Sequence, residues 1–235
     1  MKALVYGDKM PALIDCSIAY HGLEELEADI TLLKSWYSLS KEDFEQYDVC
    51  VGSVTDCRFA LTRMGLRDFD IDCYPSELTS FLGRDIQTIL IQDILKIKDT
   101  KFVKPVKPKR FAAFTTDEED YYMRLMNTDD DEKIYVSDIM HFQSEWRVYI
   151  HDNKIEAICN YKGDPTLFPN VSNVYAMIHS WKGPKCYVLD IGVSDGMTLL
   201  VEFNDFYSIG NYGLFPEKYV EMLIARWNEF KLAIK

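Results

Sequence analysis

The apolar and polar positions in the first part of the chain alternate between strand-like runs and helix-like stretches. Residues 2–6 and 47–52 are apolar runs of strand length, and residues 53–64 can follow the second run as a helix. The stretch 23–33 has its apolar residues at a helical spacing, namely Leu23, Leu26, Ile30 and Leu33. This alternation predicts a small α/β unit over residues 1–83.

The rest of the chain contains strand-like runs separated by helix-like stretches. Strands are predicted over residues 101–105, 133–140, 145–151 and 154–161. Helices are predicted over residues 115–126, where acidic residues occupy the first turn, and over residues 216–234, which carry an apolar stripe. Residues 206–214 contain two glycines and read as a flexible segment before the last helix.

The stretch 187–205 consists of two apolar, β-branched runs that flank an Asp-Gly step. Such a step predicts a β-hairpin, because glycine accepts the positive φ angle of a tight turn. Side chains alternate along a strand, so Glu202 and Asn204 project to one side. The facing strand can bring Asp190 to that same side, and three oxygen donors then converge.

Carboxylate and amide oxygens of this kind are hard ligands that suit Mg²⁺. A site with only two or three protein ligands usually has phosphate oxygens to complete it. The hairpin therefore indicates a metal–nucleotide site. The alternative is an ordinary hairpin with solvated acids, since acids are common near turns.

Basic residues cluster in one short segment of this acidic chain, at Lys104, Lys107, Lys109 and Arg110. The segment is either a solvated loop or a local phosphate cradle, with the positive charge of Lys104 at the end of a strand. Further along, Arg147 faces away from the apolar side of its predicted strand. It could belong to the same phosphate site or pair with Glu145 on the surface.

Composition narrows the class of protein. The chain has 235 residues, 48% of them hydrophobic, which is a globular composition. A net charge of −12 argues against a nucleic-acid-binding surface, because phosphate contacts need clustered Lys and Arg. The six cysteines have no zinc-site spacing and are expected to be reduced thiols. The polar N-terminus and the absence of a long apolar run favour a cytoplasmic protein without a membrane partner.

Several separated motifs occur in an order that resembles the ATP-grasp superfamily and, more narrowly, its R2K clade. They are residues 102–105 (Phe-Val-Lys-Pro), 145–148 (Glu-Trp-Arg-Val), 188–192 (Val-Leu-Asp-Ile-Gly), 201–205 (Val-Glu-Phe-Asn-Asp) and 208–214. The resemblance implies an α+β ATP-grasp fold over residues 84–235, preceded by a small α/β domain over residues 1–83. Its two subdomains would span about residues 84–135 and 136–235 and would grip ATP between them.

The resemblance also implies roles for single residues. Lys104 matches a lysine that contacts ATP phosphates, and Arg147 matches an arginine that faces the transferred phosphate or the acyl intermediate. Further matches are the metal ligands Asp190, Glu202 and Asn204, the adenine-hinge residues Val136 and Asp138, and the weaker phosphate candidates Lys109, Arg110 and Lys162. The usual hinge glutamate is not evident. We expect the three metal ligands to face one cleft, with Lys104 and Arg147 across it.

The activity that the resemblance implies is an ATP- and Mg²⁺-dependent (or Mn²⁺-dependent) carboxylate–amine ligase working through an acyl phosphate. Its substrates would be a small carboxylate and amine or a peptide. One alternative is a nucleotide-binding module used for regulation or assembly. Another is a metal-dependent nuclease, but Asn204 stands where such sites commonly have lysine, and the acidic charge also counts against it.

Overall fold

The computed structural model describes residues 1–67, 69–108 and 110–234. Its first part is a parallel three-stranded sheet of order β2-β1-β3. The elements in chain order are β1 (Lys2–Tyr6), α1 (Ile14–Glu25), β2 (Asp29–Leu33), α2 (Lys41–Glu45), β3 (Val49–Val51) and α3 (Val54–Met64). Capping boxes of Ser40 with Asp43 and of Ser53 with Asp56 begin α2 and α3. The predicted α/β pattern of this region is therefore observed.

The predicted helix over residues 23–33 is wrong. Helix α1 ends at Glu25, and residues 29–33 form strand β2, which pairs with β1 in parallel. Glu27 has a φ angle of 51°, in the left-handed region that cannot continue a right-handed helix. Leu23 completes the apolar face of α1, whereas Ile30 and Leu33 belong to the sheet.

A second sheet, of order β4-β7-β5-β6, is antiparallel throughout. It consists of β4 (Ile86–Leu90), β5 (Phe102–Pro105), β6 (Phe114–Thr115) and β7 (Lys133–Ser137), with the short helix α4 (Tyr121–Leu125) between the last two. The helix predicted over residues 115–126 is wrong at its start, because Thr115 pairs with Phe102 in the sheet. Glu118 then accepts a hydrogen bond from the Thr115 amide, so its carboxylate caps a turn rather than a long helix.

A third sheet, of order β11-β10-β8-β9, is also antiparallel. Its strands are β8 (Ser144–His151), β9 (Lys154–Gly163), β10 (Cys186–Ser194) and β11 (Met197–Asp205), and α5 (Val171–Ser180) precedes β10. Residues of α5 pack into the apolar core on one face of the sheet. The β10–β11 turn has φ angles of 49° at Asp195 and 77° at Gly196, which confirms the predicted hairpin.

The last helix, α6 (Pro216–Ile234), packs against α1. Its buried residues, Tyr219, Val220, Met222, Leu223, Trp227 and Phe230, share one core with β1, β3 and α3. Helix α6 therefore packs against the first sheet and its helices, although it follows the third sheet in sequence.

The domain boundary at residues 83/84 stays a prediction. Among the described helices, none has the length and apolar character of a membrane span. All six cysteines are free thiols.

Candidate functional site

Lys104 and Glu202 join the second sheet to the third. Lys104 comes from β5 and Glu202 from β11, and their side chains form an ion pair. The Lys104 ammonium also lies 4.7 Å from the centre of the Tyr74 ring. Burial alone would lower the pKa of Lys104, but the adjacent Glu202 carboxylate holds it above its ordinary value. Both groups are therefore charged, and the predicted position of Lys104 across the cleft from Glu202 agrees with the structure.

Arg147 lies beside Asp190 rather than across the cleft from it. The two residues are direct neighbours on β8 and β10, and the guanidinium donates two hydrogen bonds to the carboxylate, from Nε at 2.8 Å and from Nη2 at 2.7 Å. A third hydrogen bond runs from Nη1 to the Gly210 carbonyl at 2.9 Å. The expectation that Arg147 faces the ligands from the opposite wall is wrong, because strand order makes β8 the neighbour of β10.

The alternative of a surface Arg147–Glu145 pair is also wrong. The Arg147 side chain is 8% exposed, and its carboxylate partner is Asp190. Glu145 instead accepts hydrogen bonds from the Tyr161 hydroxyl at 2.8 Å and from the Lys162 ammonium at 2.6 Å. The guanidinium of Arg147 packs over the Tyr212 ring, 4.7 Å from its centre.

Asn204 connects the two ion pairs. Its amide Nδ2 donates to Asp190 Oδ2 at 3.1 Å and to Glu202 Oε1 at 3.0 Å. Asp190 and Glu202 are themselves register partners in the hairpin. The three residues predicted as metal ligands therefore belong to one hydrogen-bonded cluster, with Lys104 and Arg147 at its ends.

The pKa values in this cluster follow from burial and from the two cations. Burial raises the pKa of Asp190 to about 6, although Arg147 opposes the shift. Burial also acts to raise the pKa of Glu202, but the Lys104 charge outweighs it and holds that pKa below its ordinary value. Both carboxyl groups are ionised at neutral pH, which is the form that binds a metal ion.

The donor chemistry of the cluster fits Mg²⁺. Two carboxylates and one amide are hard oxygen ligands. No group of three or more His, Cys, Asp or Glu with metal-site geometry occurs in the described part of the chain, so a cage made only of such ligands is not present there. This set suits an ion whose remaining ligands are waters or phosphate oxygens.

Two cavities meet at the Lys104–Glu202 pair. The larger has a volume of 960 Å³ and is also lined by Arg147 and Asn204, together with residues of the first sheet and its helices. The smaller has a volume of 210 Å³ and lies toward the second sheet. Lys104 and Glu202 line both cavities, so the cluster stands between a small compartment and a large one.

The other residues predicted to contact the nucleotide do not all lie in the same place. Asp138 and Lys162 line the smaller cavity. The Val136 side chain is 7% exposed and packs in the apolar core of the second sheet. Arg110 pairs with Glu132 at 3.0 Å and lines neither cavity. Lys109 lies outside the described residues.

Sequence reasoning missed Arg84 and gave Tyr74 no role at the site. Arg84 lies just before β4 and donates to the carbonyls of Leu200 at 3.1 Å and Val201 at 2.9 Å, both on β11. It therefore ties the second sheet to the third and also lines the smaller cavity. Since these contacts join residues more than a hundred positions apart, no local pattern indicates them.

The segment 206–214 is anchored, contrary to its flexible-looking composition. Phe206, Tyr207 and Leu214 are buried in the first core. The Ser208 hydroxyl donates to the Gly52 carbonyl at 2.9 Å, and the Asn211 amide donates to Asp15 at 2.8 Å. This segment therefore links the first sheet to the strand that carries Glu202 and Asn204.

The family of the chain follows from a comparison with protein-family models. The model described as "ATP-grasp domain, R2K clade family 2" matches residues 81–222. The chain belongs to this ATP-grasp family. The match spans both sheets that carry the cluster, and it confirms the α+β ATP-grasp fold inferred from the motifs. No curated protein sequence matches the chain.

Solved ATP-grasp structures are similar to this R2K chain in fold. A D-alanine–D-alanine ligase from Bacillus anthracis, complexed with ATP, has a TM-score of 0.62 at 13% identity, covering 99% of this chain and 98% of that one. A RimK domain ATP-grasp protein from Sphaerobacter thermophilus DSM 20745 has a TM-score of 0.57 at 12% identity, covering 95% and 99%. The N5-carboxyaminoimidazole ribonucleotide synthetase from Thermotoga maritima has a TM-score of 0.54 at 10% identity, covering 95% and 75%.

Proposed function

We propose that this protein is an ATP- and Mg²⁺-dependent carboxylate–amine ligase that works through an acyl phosphate. The observation that carries the proposal is the single cluster in which Asn204 bridges Asp190 and Glu202 while Arg147 and Lys104 neutralise them. Membership of the ATP-grasp family supports it. Besides ATP, the substrates would be a small carboxylate and an amine, or a peptide.

The two cavities suit the two parts of such a substrate set. The smaller cavity takes the nucleoside end of ATP, with Asp138 and Lys162 as its polar contacts. The phosphates then lie at the Lys104–Glu202 pair, which both cavities share. The larger cavity, beyond the pair, holds the carboxylate and the amine.

The charges of the cluster explain why metal and nucleotide would bind together. Two carboxylates and two cations make the cluster neutral, so every charge has a partner. Asp190 and Glu202 would hold the metal ion, and Lys104 and Arg147 would pair with phosphate oxygens. Each of the four charged side chains would then keep a partner of opposite charge. Bound Mg²⁺ supplies charge neutralisation on the transferred phosphoryl group.

The residues of the chain can support both steps of ligation. Attack of a carboxylate on the γ-phosphate would form the acyl phosphate and release ADP, and Lys104 and Arg147 would stabilise the negative charge on the phosphoryl oxygens. Attack of an amine on the acyl phosphate would place negative charge on the carbonyl oxygen, which Arg147 would stabilise, and the loss of phosphate and of the amine proton would then give the amide. Residues of the first sheet and of the segment 206–214 line the larger cavity beside the cluster, and exclusion of water by them would protect the acyl phosphate.

The test is a screen for ADP release with pooled amino acids, peptides and polyamines, followed by mass spectrometry of the product. Glu202→Ala and Asp190→Asn should each abolish turnover, whereas Glu156→Gln, at a surface ion pair with Lys218, should not. Undiminished metal-dependent turnover in both cluster variants would refute the proposal. ATP binding without ADP release over the whole panel would instead favour a regulatory nucleotide-binding module.

A further inference from the structure

Tyr74 covers the ammonium group of Lys104 where the second sheet meets the third. The Lys104 Nζ atom lies 4.7 Å from the centre of the Tyr74 ring and 5.9 Å from the centre of the Tyr135 ring. The charged group itself therefore lies against the aromatic rings. The Lys104 side chain is only 14% exposed, and a cation–π contact is strongest where water is excluded from it.

The Tyr74 ring is held in place from both sheets. The Tyr74 amide donates to Asp72 Oδ1 at 2.8 Å, and the hydroxyl of Tyr135, on β7, donates to the same oxygen at 2.6 Å. The two tyrosine rings pack edge to face with their centres 4.9 Å apart. The carbonyl of the adjacent Cys73 accepts a hydrogen bond from the amide of Phe203, on β11, at 2.9 Å. The segment that carries Tyr74 is therefore bonded to the second sheet and to the third.

An ordinary packing role accounts for only part of this arrangement. Tyr74 is half-buried and packs against the apolar core on one face of the third sheet. Packing does not require a charged atom at the face of the ring, and the same residue also lines the smaller cavity. Tyr74 precedes residues 81–222, so the match to the family model does not include it. Its contact with Lys104 is a feature of this chain that needs its own explanation.

Glu202 would be occupied by the metal ion in the proposed function. Lys104 would then lose its carboxylate partner at the moment when it has to meet a phosphate oxygen. A lysine ammonium lies at the end of a flexible four-carbon stem, and fixing such a side chain costs conformational entropy. The aromatic face of Tyr74 is not a metal ligand, so it can contact the ammonium group with or without the metal ion.

We propose that Tyr74 is a positioning residue that holds the Lys104 ammonium group toward the phosphates of the bound nucleotide. The inference rests on the proposed function, in which Lys104 pairs with a phosphate oxygen. The effect of Tyr74 on nucleotide binding acts through Lys104. Nucleotide affinity should therefore depend on the aromatic ring at position 74, and should do so only while Lys104 is present.

The first test measures binding of the non-hydrolysable nucleotide AMPPNP with Mg²⁺ by calorimetry on the full-length protein. Tyr74→Leu should weaken binding about fivefold or more, which is the factor that a partly desolvated cation–π contact contributes. Tyr74→Phe keeps the ring and should restore the affinity. Tyr122→Leu changes a tyrosine of α4 that is 60% exposed, and should bind like the wild type. Equal affinities of Tyr74→Leu and the wild type would overturn the proposal.

A fluorinated series separates the electrostatic contact from packing. Fluorine atoms withdraw electron density from the face of the ring and so weaken its attraction for a cation, but they change the shape of the ring little. Replacement of Tyr74 by phenylalanine and then by its monofluorinated and trifluorinated forms should lower the nucleotide affinity step by step while the protein stays folded. This series also decides the question if Tyr74→Leu does not fold. An unchanged affinity across the series would overturn the proposal.

A double-mutant cycle tests whether Tyr74 acts through Lys104. In a Lys104→Met background, Tyr74→Leu should change the nucleotide affinity little, because the cation is already absent. A loss as large as in the wild-type background would show that Tyr74 affects the site without Lys104, and would also overturn the proposal.

The outcome can be separated from that of the proposed function. AMPPNP binding reports on Tyr74, and ADP release reports on the ligase. Binding that depends on Tyr74, without ADP release over the whole substrate panel, counts against the ligase alone. Turnover together with binding that does not depend on Tyr74 counts against the positioning role alone. A wild-type protein that does not bind AMPPNP counts against both.

Discussion

Arg147 and Asp190 are opposite each other on adjacent antiparallel strands and form a two-point ion pair inside the protein. Their side chains are 8% and 4% exposed, and the two hydrogen bonds measure 2.8 Å and 2.7 Å. A buried pair of this kind costs desolvation energy for both ions, and its net contribution to stability is small or unfavourable. The pair therefore adds little to net stability, and the proposed roles of Arg147 and Asp190 in phosphate and metal binding account for its presence.

This pair predicts a specific pattern of stabilities. Arg147→Met should lower the free energy of unfolding by about 3–5 kcal/mol, because it leaves the Asp190 carboxylate buried without its partner. The double variant Arg147→Met/Asp190→Leu should recover most of that loss. Urea unfolding of the singles and the double measures the coupling. A double variant as unstable as the sum of the two singles would contradict the prediction.

The cost of Arg147→Met should also depend on pH. The pKa of Asp190 in the folded protein is already raised to about 6 by burial, above its ordinary value, and removal of the guanidinium raises it further. Because the folded-state pKa of Asp190 is raised, the contribution of this one group to stability is greatest at low pH. That contribution is lost as pH rises through the folded-state pKa. The destabilisation should be smaller near pH 5 than near pH 8. An equal loss of unfolding free energy at both would show that Asp190 does not titrate in this way.

The Lys104–Glu202 pair predicts that Mg²⁺ binds weakly without nucleotide. The carboxylate is already neutralised by Lys104, so the metal must displace a cation to bind alone. Calorimetry should show much tighter Mg²⁺ binding with AMPPNP than without it. Lys104→Met should bind Mg²⁺ alone more tightly than the wild type and nucleotide less tightly. Tight binding of Mg²⁺ to the wild type without nucleotide would refute this account.

Local signals were enough to predict the hairpin but not β2. The Asp-Gly turn between β10 and β11 is a short-range signal, and the φ angles at Asp195 and Gly196 confirm it. Residues 29–33 fit a helical spacing equally well, and their strand conformation depends on pairing with β1, a distant segment. Where local patterns allow two structures, long-range pairing decides between them.

The same distinction applies to the site. Alternation along one strand was enough to place Glu202 and Asn204 on one side. The position of Arg147 depended on which strand neighbours β10, and the sequence pattern does not contain that order. Asp15 contacts a residue 196 positions away, so its place in the larger cavity emerges only from the folded chain.

Substitution by alanine should lower the free energy of unfolding more at Gly163 than at Gly196. Both have a φ angle of 77°, so alanine at either position is strained by about 1 kcal/mol. A Cβ atom at Gly163 would also lie 2.2 Å from the Gln143 carbonyl oxygen, whereas nothing lies within 4 Å at Gly196. Thermal and urea unfolding should show a loss of about 3 kcal/mol or more for Gly163→Ala and about 1 kcal/mol for Gly196→Ala. Equal losses would mean that the backbone at Gly163 moves to relieve the contact.

The cysteines should differ in how fast they are alkylated near pH 8. The thiolate is the reactive form, and burial raises the pKa of Cys16 and of Cys186 to about 12, so both stay protonated. Burial also raises the pKa values of the fully buried Cys50 and Cys57. Cys159 is only partly buried. Mass spectrometry after iodoacetamide treatment should find Cys159 modified well before these four in the folded protein, and all six cysteines modified in urea. Modification of Cys50 or Cys57 in the folded protein as fast as Cys159 would show that the first core opens readily.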